Sequence, residues 1–185
     1  VGNVGIGLNA CTKCVVQNNI IVTSQPAFGT TAINIPDRGG GANDEPLDQV
    51  SVRNNSIYFG ANTQATGITL QGEGTGHSVT GNAVYYAGST GSFGCFSLGL
   101  AASAYAAVDN NLCFAPAASS AEWEQGSGDL AAWTASSGFD TGSLWADPLF
   151  TMPTAVPRAI RLMWRNRVPS AIIAAPPWPS AAASS

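Results

Sequence analysis

Short apolar segments that follow an asparagine recur four times along the chain. They span residues 18–22, 54–59, 81–86 and 110–114. Their aligned asparagines are 36, 27 and 29 residues apart, and a valine lies three residues before each of them. A pattern that returns at fixed offsets indicates a structural repeat of the solenoid type.

Each repeat also contains an earlier segment in which apolar residues alternate with small or polar ones, at residues 6–8, 33–35, 68–70 and 96–98. This period of two is typical of a strand with one buried face. One repeat cannot bury that face alone, but repeats stacked in parallel register about 4.8 Å apart can. We therefore predict an all-β parallel β-helix of about four coils, with a short helix and an irregular C-terminal segment. The residues expected to point inward are Ile6, Leu8, Val16, Ile33, Ile35, Val52, Ile68, Leu70, Val79, Phe96, Leu98 and Val108.

The aligned asparagines are predicted to lie at sharp turns. They are Asn19, Asn55, Asn82 and Asn111. Asparagine tolerates a left-handed backbone, and its side chain can bond to the backbone or to the next asparagine in the stack. We interpret this recurrence as structural and not catalytic.

Composition and charge narrow the classes of function. Hydrophobic residues make up 45% of the chain, which argues against general disorder, and only 10% are charged. All 11 acidic residues lie between Asp37 and Asp147, and three basic residues leave residues 1–150 with a net charge of −8. Such an acidic body disfavours nucleic acid as a ligand. The sequence contains no run of about 18 apolar residues, so it predicts no membrane span.

A second stretch, at residues 128–150, carries a resemblance to a known group. It combines a short helix capped by Asp129 and running through Trp133, an acidic loop, and an Asp-Pro-Leu-Phe strand at 147–150. With the asparagine turns, it resembles the C-terminal portion of right-handed parallel β-helix proteins of the pectate-lyase-like superfamily. The resemblance covers residues 1–150 and implies a bacterial protein that is secreted or on the cell surface. The scaffold carries lyases, hydrolases and adhesins, so it leaves the function open.

The last 35 residues depart from that pattern. Residues 151–185 are rich in Ala, Pro and Arg and contain no acidic residue. We predict a poorly ordered tail without a function, and we interpret the chain as a fragment because the repeat is already running within its first ten residues.

The four cysteines allow several interpretations. Cys11-x-x-Cys14 has the spacing of half a zinc site or a redox pair, but His77 is the only histidine and a second such motif is missing. A zinc ribbon is therefore disfavoured. Cys95 and Cys113 lie in one repeat, where a disulfide between them is feasible.

Ligands bind to a β-helix at columns of outward-facing side chains. The third strand of each repeat provides the first candidate column. We expect it to hold Ile21, Tyr58, Tyr85 and Cys113. Tyr58 stacked on Tyr85 would form a flat amphipathic platform for sugar rings. The alternative is that a loop or the C-terminal segment, with Trp133 and Trp145, covers this column.

The second column holds Gln17, Arg53, Thr80 and Asp109, one or two residues before each asparagine turn. In the superfamily's lyases a basic residue removes the proton α to a uronate carboxylate, while acidic residues hold Ca²⁺ against it. Arg53 is the candidate for that base, and a solvated surface charge is the alternative.

Acidic loops provide the remaining candidates. The insertion at residues 37–48 has four carboxylates among glycines and could bind Ca²⁺ or contain an acid/base pair of the glycosidase type. Glu73 lies near His77, which we expect to be buried and aligned with Cys14, Val50 and Ala106 rather than to act as a base. The candidate catalytic residues are Arg53, Glu73 and Asp44, the candidate ligand-binding residues are Tyr58, Tyr85, Asp109 and Asp48, and the candidate metal ligands are Asp37, Asp44, Glu45 and Asp48.

Two functions remain open at this stage. The first is a polysaccharide-binding or polysaccharide-degrading protein, with a lyase or glycoside hydrolase as the form of enzyme. The second is a structural or adhesive β-helix module without glycan chemistry. The second function explains the low charge and the lack of a recognisable catalytic set, whereas catalytic residues on upstream coils would favour the enzyme. We slightly favour a carbohydrate-related protein without a complete active site in this chain.

Overall fold

A computed structural model of the chain describes residues 4–9, 11–23, 29–36, 46–60 and 64–150. Within these residues the chain forms short strands, one 3₁₀ turn at Ala102–Ala104 and one α-helix, α1 (Leu130–Ser137). The strands are β1 (Val4–Gly7), β2 (Val15–Gln17), β3 (Ile20–Thr23), β4 (Thr30–Ile35), β5 (Ser51–Arg53), β6 (Ser56–Phe59), β7 (Ala65–Leu70), β8 (His77–Thr80), β9 (Ala83–Tyr86), β10 (Ser92–Leu98), β11 (Tyr105–Asp109), β12 (Leu112–Phe114), β13 (Ser120–Glu124) and β14 (Leu144–Trp145).

The strands form three parallel sheets. Sheet 1 has the order β1-β4-β7-β10-β13, sheet 2 the order β2-β5-β8-β11, and sheet 3 the order β3-β6-β9-β12-β14. Each strand therefore pairs with its equivalent in the next repeat and not with its neighbour in the chain. This is a β-solenoid of about four coils, which confirms the predicted fold class.

The core lies between the three sheets and follows the predicted columns. Ile33, Ile68 and Phe96 are in register on sheet 1 and are fully buried. Val52 and Val79 are in register on sheet 2 and are equally buried. At the first coil, Ile6 and Leu8 are only half-buried, because no earlier strand among the described residues covers them. The prediction of which side chains point inward is confirmed.

The turn between sheets 2 and 3 contains an asparagine ladder, which we define as Asn19, Asn55, Asn82 and Asn111. In each of the first three rungs, the backbone N–H and the side-chain Nδ2 both donate to Oδ1 of the next asparagine, over 2.9–3.1 Å. The predicted ladder is thus present. The left-handed backbone, however, belongs to the residue before each rung, with φ between 54° and 65° at Asn18, Asn54, Gly81 and Asn110.

The C-terminal end of the stack is closed by α1 and the loop that follows it. Asp129 caps the helix by accepting from the Ala132 amide at 2.8 Å, and Gly138 ends it with φ of 76°. The capped helix confirms that part of the prediction. The expected strand at 147–150 was wrong: the last strand is β14, because its pairing with β12 ends at Trp145 and Pro148 has no amide hydrogen to extend the ladder.

The buried carboxylate of Asp140 joins this end cap to the solenoid. It is 2% exposed and accepts from the indole Nε1 of Trp123 at 3.1 Å and of Trp133 at 2.8 Å. Its other oxygen accepts from Asn111 Nδ2 at 3.0 Å and from the Ser143 hydroxyl. The last ladder residue therefore ends on Asp140, and its backbone N–H ends on Ser143.

A disulfide joins Cys95 in β10 to Cys113 in β12. Both cysteines are fully buried, so the bond crosses the interior from sheet 1 to sheet 3 of the same coil. Cys11 and Cys14 are half-buried in the turn before β2. The predicted tail, residues 151–185, lies outside the described residues.

Candidate functional site

The outward column of sheet 3 is aromatic over three coils, and Trp145 of β14, which the register pairs with Cys113, contacts the last ring of that column. Strand register aligns Val22 with Tyr58, Tyr58 with Tyr85, and Tyr85 with Phe114. The prediction that Ile21 and Cys113 belong to this column was wrong. Both align with the inward residues Ile57 and Val84, because a shift of one residue moves a side chain to the opposite face of a strand.

We call Tyr58, Tyr85, Phe114 and Trp145 the aromatic ladder. Tyr58 and Tyr85 are stacked, with ring centroids 5.6 Å apart and an interplanar angle of 7°. Phe114 lies 6.3 Å from Tyr85 at 42°, and Trp145 lies 6.1 Å from Phe114 in an edge-to-face arrangement. Three of these rings, Tyr58, Tyr85 and Phe114, thus follow one another from coil to coil, and Trp145 packs edge-to-face on the last of them.

The four residues of the ladder are partly exposed. Tyr58, Tyr85 and Phe114 are half-buried, and Trp145 is 37% exposed. Of the two tryptophans expected to cover the column, Trp145 packs edge-to-face on Phe114, whereas Trp133 is bonded to Asp140 in the end cap.

The ionisation of Tyr85, one residue of the ladder, is perturbed by its surroundings. Partial burial, the Asp147 carboxylate and the neighbouring Tyr58 together raise the pKa of the Tyr85 hydroxyl above its ordinary value. The Tyr85 hydroxyl therefore stays protonated at neutral pH and is able to donate a hydrogen bond. Of the described residues only Lys13 and Arg53 are cationic, and Arg53 belongs to sheet 2.

The polar column on sheet 2 has the predicted register, with Gln17, Arg53, Thr80 and Asp109 aligned. Arg53 is exposed, and its Nε donates to Gln17 Oε1 at 2.8 Å across one coil. Asp109 accepts from the Gly142 amide at 2.7 Å and so holds the loop before β14. The described contacts of this column are between neighbouring coils.

Of the candidate catalytic residues, the structure describes Arg53 and Glu73, and it places them at opposite ends of β8. Arg53 ends β5 and is in register with Thr80, at the far end of β8, whereas Glu73 lies in the loop before β8 begins. The length of β8, about 10 Å at 3.3 Å per residue, separates their positions along the coil. Asp44 lies outside the described residues.

Asp48 is the only candidate metal ligand that the structure describes, because Asp37, Asp44 and Glu45 lie outside the described residues. Its Oδ1 accepts from the Thr75 amide at 2.8 Å, and its Oδ2 accepts from Gln49 Nε2 at 2.8 Å. These hydrogen bonds lower the pKa of the Asp48 carboxyl, with the Thr75 amide as the largest cause. Within the described ranges no group of three or more His, Cys, Asp and Glu side chains is placed to hold a metal ion.

His77 is buried and hydrogen-bonded, as expected. Its Nδ1 accepts from the Val50 amide at 3.2 Å, and Nε2 lies 3.0 Å from the carbonyl of Glu73. The tautomer with the proton on Nε2 satisfies both contacts. Its partner on β11 is Tyr105 and not Ala106, because a bulge between Tyr105 and Ala107 shifts the register by one residue.

Sequence reasoning missed one member of the aromatic ladder, Phe114, and expected Trp145 only as a residue that covers this column. Phe114 lies three residues after Asn111, at the same offset as Tyr58 from Asn55 and Tyr85 from Asn82. That offset was the signal that would have found it. Trp145 follows an end cap that breaks the repeat, so no offset predicts it.

Comparison with known proteins found no match to a family model, a curated protein or a solved structure. None of the helices in the described part of the chain has the length and apolar character needed to cross a membrane.

Proposed function

We propose that this protein binds polysaccharide through the aromatic ladder and acts outside the cell or at its surface, as a β-helix protein of the pectate-lyase-like type. The single observation that carries the proposal is the row of rings Tyr58, Tyr85 and Phe114 on the outer face of sheet 3, with Trp145 packed against the last of them. Clustered aromatic side chains at a protein surface are typical of interaction sites.

The chemistry of the rings supports a sugar as that ligand. A pyranose has apolar C–H faces and a polar rim, and tyrosine and tryptophan combine an apolar face with a polar atom in the same way. Tyr58, Tyr85 and Phe114 are half-buried and Trp145 is 37% exposed, and the two tyrosines also carry a hydroxyl group. The ladder thus offers both kinds of contact that a sugar ring makes.

The disulfide supports the proposed location. Disulfides that persist in folded proteins are typical of secreted and surface proteins, since the cytosol keeps thiols reduced. The Cys95–Cys113 bond is fully buried between two sheets, where it serves the fold and not a redox reaction with solvent.

Binding is favoured over cleavage by the placement of the candidate catalytic residues. General acid and base groups must reach the same bond of the substrate. Arg53 and Glu73 lie at opposite ends of sheet 2, and neither side chain is on the sheet that holds the aromatic ladder. The proposal therefore assigns this chain a binding role, and a lyase or hydrolase reaction would need groups beyond these two.

Retention on polysaccharides tests the proposal. The purified chain is passed over immobilised neutral and acidic polysaccharides, with and without Ca²⁺, and released sugars are measured in parallel. We expect retention without product release, and a loss of affinity of about tenfold or more in Tyr85→Ala, because an aromatic–sugar contact of 1–2 kcal/mol is removed.

Val15→Ala is the matched control, because Val15 is 50% exposed on sheet 2, away from the ladder. Equal thermal unfolding temperatures of the two variants would exclude misfolding as the cause. Unsaturated products that disappear in Arg53→Ala would instead establish a lyase. If nothing is retained and nothing is released, a structural module without glycan chemistry becomes the better description.

A further inference from the structure

The first coil consists of three strands that pair on one side only. Among the described residues, β1, β2 and β3 are the outermost strands of sheets 1, 2 and 3, and we call them the N-terminal edge. We propose that this edge binds a β-coil of a separate polypeptide in parallel register, and that an asparagine in the turn of that coil extends the asparagine ladder. The proposal concerns a protein partner and does not depend on the polysaccharide role of the aromatic ladder.

The backbone of β3 has hydrogen-bonding groups on the side away from β6. The carbonyls of Asn19 and Thr23 accept from amides of the next coil at 2.8 Å, so these residues face that coil. Hydrogen bonding alternates from side to side along a strand in a parallel sheet, so Ile20 and Val22 direct their N–H and C=O groups to the other side. Such a row of groups is a template for a further strand.

The side chains of the N-terminal edge are those of a strand that is covered. Free edges in natural proteins are usually protected by lysine, other charged residues or proline. β1, β2 and β3 contain none of these. Instead Val4, Val15 and Ile20, one in each strand, are 41%, 50% and 53% exposed, and they are three of the six exposed large apolar side chains in the described part of the chain. Their burial would stabilise a complex.

The asparagine ladder identifies the occupant. Oδ1 of Asn55 accepts from the N–H of Asn19 at 3.1 Å and from its Nδ2 at 2.9 Å, and Oδ1 of Asn82 accepts from Asn55 over the same distances. Oδ1 of Asn19 is the corresponding acceptor of the first rung, and it receives no such bond from the described residues. The group that fits it is the N–H and Nδ2 of another asparagine, at the C-terminal side of another coil.

A second copy of this chain does not supply that group. At its C-terminal end the N–H of Asn111 donates to Ser143 and its Nδ2 donates to Asp140, both within the end cap. A copy placed head to head would bring two Asn19 oxygens together, and two acceptors do not bond to each other. The occupant is therefore an uncapped coil of a different polypeptide.

A peptide that contains one such coil tests the proposal. The probe is a fluorescent peptide with the sequence of residues 46–60, which holds β5, β6 and the turn at Asn55. Its binding to the full chain is measured by fluorescence anisotropy. We expect saturable binding at peptide concentrations below about 1 mM. The peptide with Asn55→Ala is expected to bind about tenfold more weakly, because it lacks the Nδ2 donor.

Variants of the protein locate the bound peptide. Ile20→Pro removes an edge N–H at the first residue of an edge strand, where proline is tolerated, and is expected to weaken binding at least about tenfold. Ile20→Val keeps that N–H and is the matched control, with an affinity expected within about twofold of wild type. Asn19→Ala removes the acceptor, so its effect is expected to be larger for the original peptide than for the Asn55→Ala peptide. Thermal unfolding of each variant checks that the fold is intact.

Three results would overturn the proposal. The first is no binding of the original peptide up to about 1 mM. The second is equal binding to wild type and Ile20→Pro, which would place the peptide elsewhere. The third is a dimer of the chain alone, seen by sedimentation and dissociated by Ile20→Pro, which would assign the edge to a second copy. None of these results changes retention on polysaccharides, which tests the proposed function separately.

Discussion

Asn111 Nδ2 lies 3.0 Å from Asp140 Oδ1, so the asparagine ladder ends on a buried carboxylate and not in solvent. The same carboxylate accepts from the indoles of Trp123 and Trp133, one from the last strand of sheet 1 and one from α1. One side chain therefore connects the turn between sheets 2 and 3, the edge of sheet 1 and the end cap.

Asn82→Ala is expected to destabilise the protein by about 3 kcal/mol or more. The substitution removes an acceptor from the Asn55 amide and side chain, and it leaves the Val52 and Thr80 carbonyls without the Nδ2 donor, all in a buried turn. Buried polar groups without partners cost about 1–3 kcal/mol each. Urea unfolding followed by circular dichroism measures the change.

Asn19→Ala provides the control for that prediction. Asn19 is only half-buried, and its Oδ1 receives no hydrogen bond from the described residues. We expect a cost of about 1 kcal/mol, because only donors are lost and water reaches this end. Equal losses at Asn19 and Asn82 would contradict a ladder whose strength comes from burial.

Asp140→Asn is expected to cost about 2–3 kcal/mol although the two side chains have nearly the same shape. All four neighbours of the carboxylate are donors, and an amide would point an NH₂ group at two of them. Charged acceptors also form stronger hydrogen bonds than neutral ones. Thermal unfolding monitored by tryptophan fluorescence reports this site directly. An unchanged midpoint would show that the charge at Asp140 is unimportant.

Removing the disulfide by Cys95→Ala with Cys113→Ala is expected to cost about 3 kcal/mol. The bond closes a loop with a sequence separation of 18, and a cross-link of that length restricts the unfolded chain by about this amount. Guanidinium unfolding of the double variant is compared with that of Cys14→Ser. If both variants lose the same stability, the disulfide contributes nothing specific.

Glu124→Gln is expected to flatten the pH dependence of stability. Burial raises the pKa of the Glu124 carboxyl. At pH values between the ordinary pKa and the raised one, the folded protein therefore binds more protons than the unfolded chain. Stability due to this group is therefore complete below its ordinary pKa of 4.5 and is lost as the pH rises through the raised folded value. The glutamine stays neutral, and its oxygen can still accept from the Leu98 amide.

The measurement is the free energy of unfolding of wild type and Glu124→Gln at several pH values between about 4 and about 8. Because the other carboxylates are common to both proteins, the difference between the two curves isolates Glu124. We expect the variant to gain relative to wild type as the pH rises. A constant difference would contradict the predicted shift in its pKa.

The sequence predicted the columns in which one repeat position carries the same type of residue in successive coils. Val52 and Val79 alternate with polar neighbours, so the inward face and the register of sheet 2 were readable from the pattern. The same holds for the asparagine ladder, where a buried amide has few substitutes.

The third strand was harder to read for a physical reason. In β12 all three residues, Leu112 to Phe114, are apolar, so alternation cannot say which side chain faces inward. The prediction therefore placed the side chain of Cys113 on the outward face instead of that of its neighbour Phe114. The aligned asparagines indicate which side chains of β12 face inward, because β6 and β12 start at the same offset from Asn55 and Asn111.

The end cap could not be predicted from local pattern at all. The two indoles that bond to Asp140 come from positions 17 and 7 residues earlier, on a strand and on a helix. Contacts of this kind depend on how the last coil closes, and no periodicity records that. The bulge that brings Tyr105 opposite His77 is another local event that the repeat does not encode.

The asparagine ladder also has a polarity. In each rung the amide nitrogen points toward the C-terminal end of the stack and the next oxygen faces back, so the side-chain dipoles add head to tail from Asn19 to Asn111. Linked hydrogen bonds of this kind polarise one another. The positive end of the chain of dipoles meets the negative charge of Asp140, while the negative end lies at Asn19. The solenoid thus has a dipole along the turn between sheets 2 and 3, with its positive end at the C-terminal end of the stack. An α-helix likewise has a dipole along its axis.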